Sequence, residues 1–434
     1  MPLDRRRFVQ SSAALVGASA IARPGRVFAQ ASTVPSIPEV TVRHGTVSYT
    51  NHAWTVLAAQ KGFLADVGIT MEGNAPKILR DQQMVPMLQN DEIDITTMYF
   101  GIVTQALDKI TDIRPVLVYS FWQGNTILTS PNSGFKTVDE FLDEGMPWEE
   151  AASAAMMQFK GQKLTVTANP STYPWNNHAL GLAGLSMEDV ETIPIEDPKA
   201  VQLAVSEQVP FAAPGGAVQI YQLQYQAGWK PVMSTRQMVA HVPGGPGSAL
   251  NNLLNYDVMQ TTATYAENNR DTLMRWCAAM YKTMDYIFGP EQEQALSEYA
   301  PFINANTGAQ LDWKSIKFIF EELDPFYQWK DQAQIWEDPD YALFYKNIYD
   351  FQIKKYIADG TLSDQSYDIE GLFTAKPIFV EMRELKEKTE QLIAKADQDG
   401  SISEDRMAII EMAKKHYGNF NYLDSARFME AALA

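Results

Sequence analysis

Short apolar runs alternate with amphipathic stretches from residue 40 onward, and the two periods predict strands and helices in turn. Val40-Thr41-Val42-Arg43-His44 has the period-two alternation of a strand. Residues 53–60 have helical spacing and stop before Gly62. Residues 69–72 and 93–97 read as further strands, with helices at 81–88 and 102–107. Strands alternating with helices indicate βαβ units and a mainly parallel sheet. Two strand-like runs follow at 114–121 and 126–129. A second set then begins, with strands at 163–167, 190–195, 210–213 and 231–233 and helices at 174–182, 199–205 and 217–226. The two sets predict an α/β protein of two similar lobes, each with its own sheet. An acidic, Met-rich helical stretch at 136–160 elaborates the second lobe.

Past the glycine-rich stretch 243–247 the pattern turns helical. Leu273, Trp276, Cys277, Met280, Met284 and Ile287 recur at helical spacing, and 314–323 and 341–357 predict further helices. Aromatic residues are dense from Trp313 to Tyr345 and read as packing of these helices on the first lobe rather than as a binding surface. In the tail, Ile378, Met382, Leu385, Thr389 and Leu392 follow a heptad-like spacing, Ser401 and Glu404 fit a capping box, and 423–433 suggests a third helix. The tail reads as a helical appendage for self-association or partner docking. The expected division is an export segment at 1–31, lobe one from 32–125 plus 236–370, lobe two from 126–235, and a helical extension at 371–434.

The first residues stand apart. Arg5, Arg6 and Arg7 precede an uncharged apolar run at 11–22, and Ala29-Gln30-Ala31 is a small-residue cleavage site. That order is an export signal, its apolar run too short to span a bilayer. The paired arginines before Phe8 resemble a twin-arginine signal, so a periplasmic location is expected. Removing residues 1–31, with five arginines and one aspartate, takes the net charge from −18 to −22. Such acidity argues against nucleic acid, which needs clustered Lys and Arg, and against an anionic membrane surface. Cys277 is the sole cysteine, so neither an intramolecular disulfide nor a CxxC pair can form. It lies on the apolar face of its helix and reads as a buried structural thiol.

The run His52-Ala53-Trp54-Thr55-Val56-Leu57-Ala58-Ala59-Gln60-Lys61-Gly62-Phe63-Leu64, followed by Val67-Gly68-Ile69 and Glu72, resembles the opening of periplasmic solute-binding proteins of ABC importers. The subgroup is the one that binds alkanesulfonates, nitrate and pyrimidine precursors of thiamine. Four later stretches agree: Asp91-Glu92-Ile93-Asp94-Ile95, Ser133-Gly134-Phe135-Lys136-Thr137, Phe159-Lys160-Gly161-Gln162-Lys163 and Leu182-Ala183-Gly184-Leu185. The likeness is good over 40–235 and loose over 240–370. Pro210-Phe211-Ala212, the extra segment 142–158 and the tail beyond 371 depart from the pattern. The resemblance implies a two-lobed, type II-like periplasmic-binding-protein fold, a small-molecule ligand and an ABC permease as partner.

Open α/β sheets bind ligands beyond the carboxyl ends of their strands, and two facing lobes can close on a hinge. The loops at those ends are 48–52, 98–101, 121–125, 168–176 and 213–216. The candidate ligand-binding residues they carry are the aromatic Tyr49, Tyr99, Phe100, Trp122, Tyr173 and Trp175 and the neutral Asn51, His52, Gln123, Asn169 and Thr172. Pro214 and Gly215 complete the set at the last turn, where close backbone approach competes with a plain tight turn. None of these loops holds Lys or Arg. A sulfonate or nitrate usually wants a guanidinium, although the N-terminus of the helix after Pro174, capped by Thr172 or Ser171, can hold an anion. Aromatic walls with neutral hydrogen bonders suit a flat heterocycle or another neutral or weakly cationic compound.

His44, His52, His178 and His241 lie near predicted strand ends without a carboxylate or second His at ligand spacing, so no metal or cofactor is expected. Lys395 to Ile402 imitates a calcium loop, but Lys395 and Arg406 stand where carboxylates are required. There is no GxSxG, HExxH or GxxxxGKS, and one cysteine does not fit the cysteine-rich motif of the superfamily's pyrimidine-synthesis enzymes. The expected function is capture of a small aromatic or heterocyclic molecule in a closing cleft, for delivery to an ABC permease. The alternatives are an alkanesulfonate- or nitrate-type anion binder, a pyrimidine-synthesis-type enzyme and a sensor-feeding protein.

Overall fold

The computed structural model describes residues 34–168, 172–398 and 401–434. The export segment 1–31, Asn169, Ser171, and Asp399 and Gly400 of the calcium-like stretch lie outside the described residues. Two five-stranded sheets organise two lobes. In the second sheet Lys163–Thr167 pairs in parallel with Glu191–Ile195 on one side and Phe211–Ala213 on the other. Thr126–Thr129 runs antiparallel to Phe211–Ala213, and Lys230–Ser234 closes that edge. Leu164, Val166 and Phe211 are completely buried, as strands covered on both faces require.

The first sheet repeats the plan. His44–Thr46 pairs in parallel with Lys77–Ile78 and Ile95–Tyr99, and Tyr256–Thr262 lies antiparallel between Ile95–Tyr99 and Ile113–Phe121. The pattern reading fails in two places here. Val40–Val42 pairs with Ile69–Met71 in a separate two-stranded sheet, and the main sheet uses the two-residue strand Lys77–Ile78 instead. Tyr256–Thr262 lies in a stretch read as helical, because nearly all of it is buried and it shows no alternation.

The chain passes between the sheets after Phe121 and again between Ser234 and Tyr256, two crossings of the kind a hinge uses. The helix Arg270–Phe288 lays Leu273, Trp276, Cys277, Met280, Met284 and Ile287 into a core shared with Trp54 and Tyr119. A second core joins Tyr345, Tyr349 and Phe373 to Met98 of the first sheet and extends to Val166 and Phe211 of the second. From the aromatic-dense stretch Phe320, Phe326, Tyr327, Trp336 and Tyr345 are all buried, so packing accounts for them.

Ala375–Gln398, Glu404–Gly418 and Tyr422–Leu433 form a three-helix appendage. Ile378 and Met382 of the heptad-like stripe enter the first lobe's core, Thr389 is fully buried, and Leu392 packs on Ile409, Ile410, Phe428 and Met429. These positions of the stripe pack inside the chain. The second helix starts at Glu404 with Ser403, not Ser401, as its N-cap. Among the described residues no helix is long and apolar enough to cross a membrane.

Candidate functional site

Strand ends of both sheets converge on one hollow. The turn after His44–Thr46 brings Tyr49, Asn51 and His52, the end of Ile95–Tyr99 brings Tyr99 and Ile102, and the crossing after Ile113–Phe121 brings Trp122 and Asn125. The other lobe contributes Thr167, Thr172, Asp197, Gly215, Gly216 and Ala217. With Asp81 and Asp257 these residues enclose about 80 Å³. Tyr49, Asp81, Thr167, Asp197, Gly216 and Ala217 also line a larger outer cavity of about 590 Å³.

Local devices aim the aromatic walls. The Trp122 indole lies over Gly124, where an added Cβ would meet the ring at 2.4 Å. Its Nε1 donates to Asn125 Oδ1 at 3.0 Å. Gly101 makes the same room for Tyr99, whose Cε1 lies 2.3 Å from where a Cβ would stand. Tyr49 donates its hydroxyl to Asp81 Oδ2 at 3.2 Å, and its ring centre lies 5.9 Å from that of His52.

Beneath them lies a buried polar group. His52 hydrogen-bonds Tyr119 through Nδ1, and burial pushes its pKa down to about 3, so the ring is neutral. Asp257, 1% exposed, accepts from Asn51 Nδ2 at 3.1 Å and Ser120 Oγ at 3.2 Å, and its Oδ1 stands 3.7 Å from His52 Nε2. Burial pushes the Asp257 carboxyl up to about 6. Burial and the charge of Asp257 drive fully buried Asp324 well above its usual value. Two neighbouring buried carboxyls cannot both ionise cheaply, so at least one of them keeps its proton.

That pair predicts an inverted pH dependence. Both folded pKa values exceed the unfolded value of about 3.9, so folding takes up protons. The stabilisation is fully present below about pH 4 and is lost as pH rises through about 6 for Asp257. Asp324→Asn keeps a neutral group there at every pH. Its melting temperature is expected to exceed the wild type's by about 3 °C at pH 8 and to match it near pH 4. A parallel pair of melting curves across pH 4–8 contradicts the retained proton.

On the second lobe Asp197 Oδ2 accepts from the backbone N–H groups of Gly215 at 3.1 Å and Gly216 at 2.7 Å. Its Oδ1 is buried and has no hydrogen-bond partner among the described residues. Burial raises the pKa of Asp197 in spite of those amides, and it raises that of Asp81 as well.

Of the sequence candidates, Tyr49, Asn51, His52, Tyr99, Trp122, Thr172 and Gly215 come together at the hollow. Phe100 does not: it is fully buried, with ring centres of Tyr349 and Phe373 at 5.5 and 5.2 Å. Successive residues at a strand end face opposite ways, so Tyr99 and Phe100 part company. Gln123 donates to the Glu322 carbonyl at 2.9 Å and lines a separate cavity. Tyr173 and Trp175 pack into the core, and Pro214 is buried without lining the hollow. Asn169 lies outside the described residues. The histidines do not converge: His44 is tied to Ile95 O and Thr55 Oγ1, both at 3.0 Å, and His241 stacks on Trp148 at 4.5 Å.

Three aspartates were missed, and they overturn the reading of a wall of uncharged polar groups. Asp81 and Asp197 each open a helix just after a strand, at turns the strand-end rule covers equally well. Asp257 lies on the unrecognised strand. Its register opposite Tyr99 on an antiparallel neighbour places its start at the carboxyl end of the parallel strands.

No family model matches the chain, and no curated protein matches it. Solved structures do. A putative sulfonate ABC transporter, periplasmic sulfonate-binding protein SsuA from Methylobacillus flagellatus KT, superposes with a TM-score of 0.53 at 13% identity, covering 80% of this chain and 95% of that one. The periplasmic nitrate-binding protein NrtA from Synechocystis PCC 6803 gives 0.51 at 14% identity, covering 79% and 88%. The desulfurization enzyme DSZB gives 0.49 at 11% identity over 79% and 99%, too distant to bear on activity. At these identities the likeness is one of fold, and the fold is the two-lobed α/β architecture of periplasmic binding proteins, with added C-terminal helices.

Proposed function

We propose that the protein is the periplasmic solute-binding component of an ABC importer, exported through the signal at 1–31 by the twin-arginine route. Residues 32–125 and 236–370 form lobe one, 126–235 form lobe two, and 371–434 are a helical extension braced on lobe one. The observation that supports this reading is a single hollow walled by strand ends of both lobes, between which the chain crosses twice. A molecule touching both walls stabilises the closed form by mass action, and the closed form docks on the permease. Tyr49, Asn51, His52, Tyr99, Trp122, Thr172 and Gly215 contact the ligand. The role is binding rather than turnover. Cys277 is 1% exposed, its thiol is pushed up to about 12 by burial, and it does not line the hollow.

Native mass spectrometry of protein taken from a periplasmic extract tests this. The expected result is one small molecule per chain, recovered chemically unchanged after incubation with fresh protein. Conversion of that molecule by catalytic amounts of protein makes the chain an enzyme. Its retention by Trp122→Ala rejects the cleft.

A further inference from the structure

We propose that the cargo is an organic cation, a protonated amine or quaternary ammonium whose charged head enters the inner hollow while its body lies in the outer cavity. This rests on the solute-binding reading above and adds the charge of the ligand. Asp81, Asp197 and Asp257 line the inner hollow, and among the described residues no Lys or Arg does. Neither Asp197 nor Asp257 is paired with a lysine or arginine among the described residues. Asp197 Oδ1 is buried with no geometric hydrogen bond among the described residues, while Gly215 and Gly216 hold Oδ2 and the Thr167 side chain also bears on the carboxylate. A desolvated carboxylate oxygen with no donor is a costly arrangement, and a ligand N–H or ammonium charge relieves it.

The remaining wall agrees. Tyr49, Tyr99 and Trp122 present aromatic rings, whose negative faces attract cations and gain most when water is excluded. The inner volume of about 80 Å³ has room for a head group the size of an ammonium. A metal ion fits less well. Among the described residues no three His, Cys, Asp or Glu side chains stand close enough to ligate one. An anion fits worst, since a sulfonate in this hollow meets carboxylates and no compensating charge. The whole chain, at −18, adds a field that draws cations.

Affinity must then depend on pH. The titratable groups facing the inner hollow are Asp81, Asp197, Asp257 with Asp324 behind it, Tyr49, Tyr99 and neutral His52. Arg80 and Glu196 face the outer cavity. Burial favours the protonated form of the carboxyls in the empty protein, so an entering cation expels protons and binds more tightly as pH rises.

The test is calorimetry and thermal shift on the full mature chain with tetramethylammonium, benzylammonium, benzyl alcohol and phenylmethanesulfonate as probes. The expected result is saturable stabilisation by at least one cation, at least tenfold tighter than either the alcohol or the sulfonate, with affinity rising about tenfold from pH 5 to pH 8. Asp197→Asn should weaken that cation at least tenfold. Asp81→Asn, on the other lobe, should do the same and serves if the first variant misfolds. No response to either cation, equal binding of the sulfonate, or affinity falling with pH overturns the proposal. The mass-spectrometric test of the cleft is indifferent to charge. A neutral or anionic molecule found there, and lost in Trp122→Ala, therefore removes the cation and leaves the solute-binding reading standing.

Discussion

Asp424→Ala is expected to lower the melting temperature by about 5 °C. Asp424 lies in the last helix, Tyr422–Leu433, and grips Arg275 of the first lobe's long helix with two bonds of 2.7 and 2.8 Å. Both residues are about 3% exposed. Burial alone would raise the Asp424 carboxyl, but Arg275 and Asn421 hold it below its usual value. Truncating one partner strands a guanidinium in the interior, at a cost of roughly 3–5 kcal/mol. For a chain of this size that corresponds to a shift of about 5 °C if the lobe and extension unfold together. Calorimetry decides, with Lys388→Ala as control. Lys388 and Glu430 pair on the surface at half exposure, so their loss should cost less than about 1 kcal/mol. Equal effects of the two variants would show that the extension is only loosely attached. Replacing both Arg275 and Asp424 with leucine should recover most of the stability, because no unpaired charge is left behind.

Trp122→Ala is expected to weaken the best-binding cationic probe about 30-fold while leaving the melting temperature of the empty protein within about 2 °C. The indole is a wall of the hollow, and losing a central aromatic contact costs about 2 kcal/mol, which is about 30-fold in Kd. Gly124→Ala separates contact from position. A methyl group there collides with the indole at 2.4 Å, so the ring must swing off its seat on the backbone although every side chain of the wall is retained. Weakening by Gly124→Ala approaching that of Trp122→Ala shows that the ring must be held in place. Full affinity in both variants places the ligand elsewhere.

The strand-end rule carried the site reading furthest where strands were visible in the pattern. Lys163–Thr167 appears in the structure with the bounds its alternation predicts, and the strand predicted at 190–195 begins one residue later, at Glu191. Tyr49, Tyr99, Trp122 and Gly215 follow from such ends and meet at one hollow. The failures have one cause each. Lys77–Ile78 is too short to show a period, and Tyr256–Thr262 is buried on both faces, so neither announced itself. With them went Asp81 and Asp257. Trp175 was misplaced because an aromatic residue beside a cleft serves the core as readily as the ligand.

Periodicity and turn residues were enough to establish an α/β chain of two sheet-building halves followed by helices, because local hydrophobic spacing is what commits a segment to strand or helix. The sign of the charge in the cleft was decided only by tertiary structure. Asp81, Asp197 and Asp257 are 60 to 176 residues apart in the chain and look like ordinary surface carboxylates until an antiparallel strand and two helix starts draw them around one hollow. Their electrostatic weight comes from burial and from what stands beside them, and neither quantity exists before the chain has folded.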